Sequence, residues 1–329
     1  MSSLSIIEDL MREFAENTGL NSERDPKRYL WTDAFAVCNF IQLFKQTKNE
    51  KYKDLAIDLV DQVHSILGKH RDDDPREGWL SNNPKHPTKN GLRIGKDLPE
   101  RKRDQPIDQQ LEWERDGQYF HYLTKWMVAL ISIGNFLEEE TYKIWASDLV
   151  QASMSFVHNE RMFWKMSIDL SRPLVSSMGQ HDPLDGYTVF RLVDMNTEED
   201  LSEEVNVMFK MAKGLRLETE DPLGMGSMLI DAYRLYKMNE KKEFIDTIIE
   251  AVKYGIQYFN ANIHSLAFRE LGLAIGIDAA KRMNRLKKYW NISEKLNTYW
   301  VNHRRWEAHK DINQVMLATS LDPNQYLEV

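Results

Sequence analysis

The feature that most constrains this chain is an alternation between two kinds of helical segment. Leu4 to Ala15 is amphipathic, with Leu4, Ile7, Leu10, Met11 and Phe14 on one face. Trp31 to Phe44 is apolar on every side, and a helix apolar all round belongs inside a fold. The next segment again carries a clean stripe (Tyr52, Leu55, Ala56, Leu59, Val60, Val63, Ile66) opposite a charged face. The same contrast recurs to the C-terminus, giving twelve segments in six pairs. Three turns are alike: Thr47 to Tyr52, Leu137 to Tyr142 and Met238 to Phe244 each join an apolar segment to an amphipathic one, with acids where the helix dipole favours them. Helical hairpins repeating at roughly 40 residues make an open array or a closed ring. Fully apolar helices alternating with half-solvated ones fit a ring of two concentric layers, the apolar layer inside.

Arg71 to Gln110 breaks the pattern. It holds five prolines and reads as a long loop, with Trp79, Leu80, Leu92 and Ile94 spaced to pack it down as a lid or rim, more mobile than the helices. Arg161 to Val175 mixes aromatic and β-branched residues and suits a short extended piece.

The net charge of −8 provides no basic field for nucleic acid, and the basic run Arg101-Lys102-Arg103 is flanked by Glu100 and Asp104. The single cysteine, Cys38, excludes an internal disulfide and reads as a small core residue. No stretch approaches the ~20 apolar residues a membrane helix needs, and the N-terminus lacks the apolar run of a signal peptide. The expected location is cytoplasmic. No spacing of metal ligands or nucleotide-binding glycines occurs, so neither metal nor cofactor is expected.

Inner helices introduced by WTD, ERDGQYFHY, GQHDPLDG and DPLGMG, with outer helices introduced by the repeated turns, resemble the six-hairpin glycosidase superfamily. The resemblance spans nearly the whole chain and implies an all-α fold, an (α/α)6 toroid of six helical hairpins forming one domain over residues 1–329. It also implies that loops entering the inner helices converge at one mouth, where sugar-binding aromatics and catalytic carboxylates gather.

Those loops supply Trp31 and Asp33; Glu112, Trp113, Glu114, Asp116 and Tyr119; His181, Asp182 and Asp185; Asp221; His264; His309 and Asp311. Glycoside hydrolysis uses a proton donor and a second carboxylate. Two acids on separate loops facing a cavity do this more naturally than two on one turn, so Asp116 with Asp182 or Asp185 is the expected pair, His181 assisting. Trp31, Trp113 and Tyr119 would contact a sugar, with Asp33, Glu112 and His264 as further binding groups. The alternative for Asp33, Asp116, Asp185 and Asp221 is helix capping or turn formation. His121 reads as a core histidine or a catalytic one, while His64, His70 and His158 read as solvated. A sugar epimerase or lyase using His/Asp bases, and a non-catalytic scaffold for proteins or peptides, are the competing functions. The ligand in the leading reading is a carbohydrate or sugar-derived small molecule.

Overall fold

The computed structural model describes residues 2–159 and 161–329. Its helices are α1 (Ser3–Asn17), α2 (Leu30–Thr47), α3 (Glu50–Leu67), a short α4 (Gln109–Glu114), α5 (Phe120–Leu137), α6 (Glu140–Ser153), α7 (Asp182–Asp194), α8 (Ser202–Lys213), α9 (Pro222–Lys237), α10 (Lys242–Ile256), α11 (Ala267–Arg282), α12 (Asn291–Asn302), α13 (Lys310–Leu321) and a short α14 (Asn324–Leu327). The apolar helices α2, α5, α7, α9, α11 and α13 each pack against the next, and α13 packs back on α2. The amphipathic helices α3, α6, α8, α10 and α12 back the inner helices that precede them, and α1 backs α13. Ring closure follows from the two hydrophobic patterns: each inner helix must bury its whole circumference, which only neighbours on both sides and an outer partner provide.

All three repeated turns pass through a residue of left-handed backbone, Lys48 and Glu138 at φ 58° and Asn239 at φ 56°. That conformation reverses the chain tightly enough to lay an outer helix on its inner partner. Between α9 and α11 the spacing is set by backbone: a Cβ on Gly226 would lie 2.2 Å from the Gly272 carbonyl oxygen, so only glycine permits the approach.

Small strands decorate the mouth. β1 (Gln118–Tyr119), β4 (Lys165–Met166) and β5 (Pro173–Val175) form one antiparallel sheet in the order β1-β4-β5, and β2 (Val157–His158) pairs with β3 (Arg161–Met162). The extended piece expected within Arg161 to Val175 is this strand cluster.

The long loop is packed down as a rim. Leu80, Leu92 and Ile94 are buried. Gln118 Oε1 accepts from the Leu92 amide at 2.9 Å, and Arg71 Nη1 donates to the Lys96 carbonyl at 2.6 Å. One helical histidine departs from expectation. His64 is buried, because α3 turns it inward to accept the Trp126 indole N–H at 3.0 Å. Burial pulls its pKa down to about 3, keeping it neutral.

Candidate active site

At the N-terminal ends of the inner helices lies a cavity of about 500 Å³, to which all six contribute. α7 begins at Asp182, with Pro183 pre-shaped for a first helical turn, and the three-residue spacing puts Asp185 on the same face. Both aspartates line the cavity, as do Trp31, Trp113, Tyr119, His121, Lys125, Trp164, His181, Asp221, Arg269 and Tyr326.

The two aspartates occupy different environments. Asp185 Oδ1 accepts from Lys125 Nζ at 2.5 Å, and Oδ2 accepts from the Thr124 hydroxyl. Burial works against charge on Lys125, yet the adjoining Asp185 carboxylate holds its pKa above the ordinary lysine value. Asp182 Oδ2 is buried with no hydrogen-bond partner among the described residues. Burial, reinforced by the charge of Asp185, pushes the Asp182 pKa up to about 7. One turn of helix thus carries a salt-bridged carboxylate beside a carboxyl that keeps its proton near neutrality.

Two neutral histidines flank them. His121 Nδ1 lies 4.0 Å from Asp182 Oδ1, too far for a direct hydrogen bond, and burial lowers the His121 pKa to about 4. His181 Nε2 is 2.9 Å from the Leu217 carbonyl, which can only accept, so Nε2 carries the proton and Nδ1 is left as an acceptor. Burial lowers the His181 pKa as well.

Aromatic rings form one wall. Trp113 sits 4.4 Å from Trp164, which stacks on Tyr119 at 4.5 Å; His121 is nearly parallel to Trp164 at 6.2 Å. Tyr29 and Tyr122 are hydroxyl to hydroxyl at 2.5 Å. On the opposite side Arg269 Nη1 meets Asp221 Oδ1 at 2.5 Å, while Asp221 Oδ2 caps α9 through the Gly224 amide at 2.8 Å. Capping is therefore a real part of Asp221's work. It is not that of Asp185, whose oxygens go to Lys125 and Thr124.

Several expected site residues lie elsewhere. Asp116 is wholly buried behind the wall, accepting from Arg93 Nη1 at 2.6 Å and the Gly95 amide at 3.1 Å. It is neither cap nor cavity acid: Tyr119 holds the N-cap position of α5, and the arginine pair turns the carboxylate away from the mouth. Glu112 is buried against Arg101 Nε at 2.5 Å, with Lys165 Nζ 3.9 Å from its other oxygen, and braces the loop. Asp33 and Asp311 line a side pocket of about 530 Å³ that meets the main cavity at Tyr29, Lys96, His309 and Ile312. In that pocket burial raises the Asp33 pKa to about 6. His264 is held by Glu270 at 2.8 Å and stacked on Tyr299, outside the cavity.

Lys125, Trp164, Arg269 and Tyr326 escaped the sequence reading. For Lys125 the signal was available: a lone lysine in the apolar run LTKWMVALI must reach a buried anion. Tyr326 comes from α14, which folds across the far end of the ring and stacks Tyr326 on Phe35 at 4.4 Å.

No family model matches the sequence, and no curated protein sequence matches it. Solved structures do match over their full lengths. A family 76 glycoside hydrolase (mannosidase), Bt3792 from Bacteroides thetaiotaomicron VPI-5482, has 9% identity and a TM-score of 0.67, covering 99% of this chain and 98% of that one. The chain has the fold of the six-hairpin glycosidases. A D-mannose isomerase shares this (α/α)6 toroid at 12% identity and a TM-score of 0.61, covering 97% and 96% of the two chains. So does a sugar epimerase from a ruminal bacterium, at 8% identity and a TM-score of 0.58, covering 97% and 98%.

Proposed function

We propose that this toroid is a glycoside hydrolase, with the whole chain acting as one domain and Asp182 as the proton donor to the leaving oxygen. The observation that carries the reading is the contrast between Asp182 and Asp185. Neighbouring carboxyls with environments this different mark an acid and its charged partner. In this reading Asp185, fixed by Lys125 and Thr124, supplies the negative charge that stabilises the cationic sugar ring. Trp113, Trp164 and Tyr119 offer flat apolar surface to a pyranose face.

The cations of the cavity favour a neutral sugar over a uronic acid. Lys125 is engaged by Asp185, Arg269 by Asp221, and Lys96 donates to the Trp113 carbonyl. Mannose-type substrates are the first to try, since the mannosidase named above shares the fold. One free cysteine and no disulfide suit a cytoplasmic setting.

The test is hydrolysis of a panel of aryl glycosides, aryl α-mannoside first, by the parent protein and Asp182→Asn. Release of phenol that the substitution abolishes supports the reading. Release unaffected by Asp182→Asn removes Asp182 from the chemistry.

A second reading rests on His121 beside Asp182 with His181 also neutral, a pair of bases suited to moving the proton next to a sugar carbonyl. It predicts deuterium uptake from D2O into free mannose without cleavage of any aryl glycoside.

A further inference from the structure

Asp231 lies on α9 one turn deeper than Ser227 of the cavity wall, and it is 1% exposed. Neither of its carboxyl oxygens has a hydrogen-bond partner among the described residues. One turn further along, Arg234 leaves Nε and Nη1 equally unpartnered while Nη2 donates to the Tyr326 carbonyl at 2.9 Å. On α7, one turn below Asp185, the buried Thr188 hydroxyl is unpartnered too. These groups continue the cavity-facing stripes of their helices toward the floor made by Tyr326.

Buried polar atoms left without partners weaken a fold, and proteins satisfy them with internal water. An apolar residue at 231 would match the rest of the inner layer. A carboxyl there works against stability, so its use lies in what it holds.

We propose that Asp231 is a positioning residue: with Arg234 and Thr188 it holds bound water on the ring axis, and that water supports the Lys125–Asp185 pair from beneath. This rests on the reading that Asp182 and Asp185 do the chemistry. Charged or titratable groups gathered there are Asp185 from α7, Lys125 from α5, Arg234 on α9 itself, Tyr326 from α14 and Cys38 from α2. Burial, then the charge of Asp185, pushes the Asp231 pKa well above the ordinary carboxyl value, so its protonated form can donate to water as well as accept. Loss of the support lets the Lys125 ammonium and the Asp185 carboxylate drift from the geometry that orders the substrate.

The experiment uses Asp231→Leu and Asp231→Asn in the full chain. Asp231→Leu is expected to melt higher than the parent at pH 8, to lose ~10-fold or more in kcat on an aryl α-mannoside with KM within about two-fold, and to shift the pH at which activity falls. Asp231→Asn, which still bonds to water, should recover most of the rate. A Leu variant that melts lower at pH 8 with unchanged kcat and pH profile makes Asp231 a structural residue and overturns the proposal. Should the parent cleave no glycoside, the functional reading fails by itself, and a high-resolution crystal structure decides the rest. Ordered water bridging Asp231 to Lys125 and Arg234 upholds the inference; direct contact of the Asp231 carboxyl with either cation overturns it.

Discussion

Arg93 Nη1 lies 2.6 Å from Asp116 Oδ2, and the pair is sealed behind the cavity wall with Arg71 Nη1 3.4 Å from the same oxygen. It ties the long loop to the strand that leads into α5. Removing one member of such a pair leaves a buried charge without compensation. Asp116→Ala is therefore expected to lose about 3–5 kcal/mol in urea unfolding, while the folded fraction keeps its activity. A variant of parental stability and no activity would return Asp116 to the catalytic list.

Asp182 gives a pH signature. Its folded pKa of about 7 exceeds the ordinary carboxyl value of 3.8, so between those values the folded state binds more protons than the unfolded chain. Its contribution to stability is present at low pH and is lost as pH rises through about 7. Asp182→Asn should flatten that decline in urea midpoints measured from pH 4 to 8. It should also cut kcat by ~10² to 10⁴-fold. On the proposed donor role of Asp182, the parent's activity should fall as pH rises through about 7.

His64 acts in the opposite direction. Its folded pKa of about 3 lies below the ordinary 6.5, so the unfolded chain binds the extra proton and stability falls as pH drops from 6.5 toward 3. His64→Gln, able to accept from Trp126 but unable to charge, should lose less stability than the parent between pH 7 and 4.5. An identical loss would mean that acid sensitivity comes from other groups.

Trp113 and Trp31 should separate. Trp113 is 54% exposed and presents a face to the cavity, whereas Trp31 is 5% exposed and packs on Phe35 at 4.6 Å. Trp113→Ala should raise KM with a melting temperature near the parent's. Trp31→Ala should cost about 3–5 kcal/mol in urea unfolding, as removal of a packed aromatic does. Equal melting losses for both would deny Trp113 its role as an open stacking surface.

The ring was legible because solvent exposure is written into each helix: α3 and α10 carry stripes, while α2 and α5 do not. The cavity lining was legible only at helix entrances. Asp182, Asp185 and His181 line the cavity as their helix-entrance positions suggested, and so do Trp31, Trp113 and Tyr119. The same rule also selected Asp116 and Glu112, because a sequence does not tell which way a loop carboxylate turns. Here Arg93, 23 residues before Asp116, and Arg101, 11 residues before Glu112, draw them inward. Trp164 was invisible for a related reason: its place beside Trp113 depends on a strand pairing, β1 with β4, that no local pattern encodes.

Five of the six hairpins are joined by turns of their own, but the sixth is made of α13 and α1, the two ends of the chain. No connection brings those partners together, so their meeting carries the loop-closure cost of almost the entire sequence. The inner-helix seam between α13 and α2 waits on the same event. The cavity needs both sides of that seam, since Trp31 enters from α2 and Ile312 from α13. During folding, then, the completed cavity should arrive last and all at once, as an arc of five hairpins snaps into a circle.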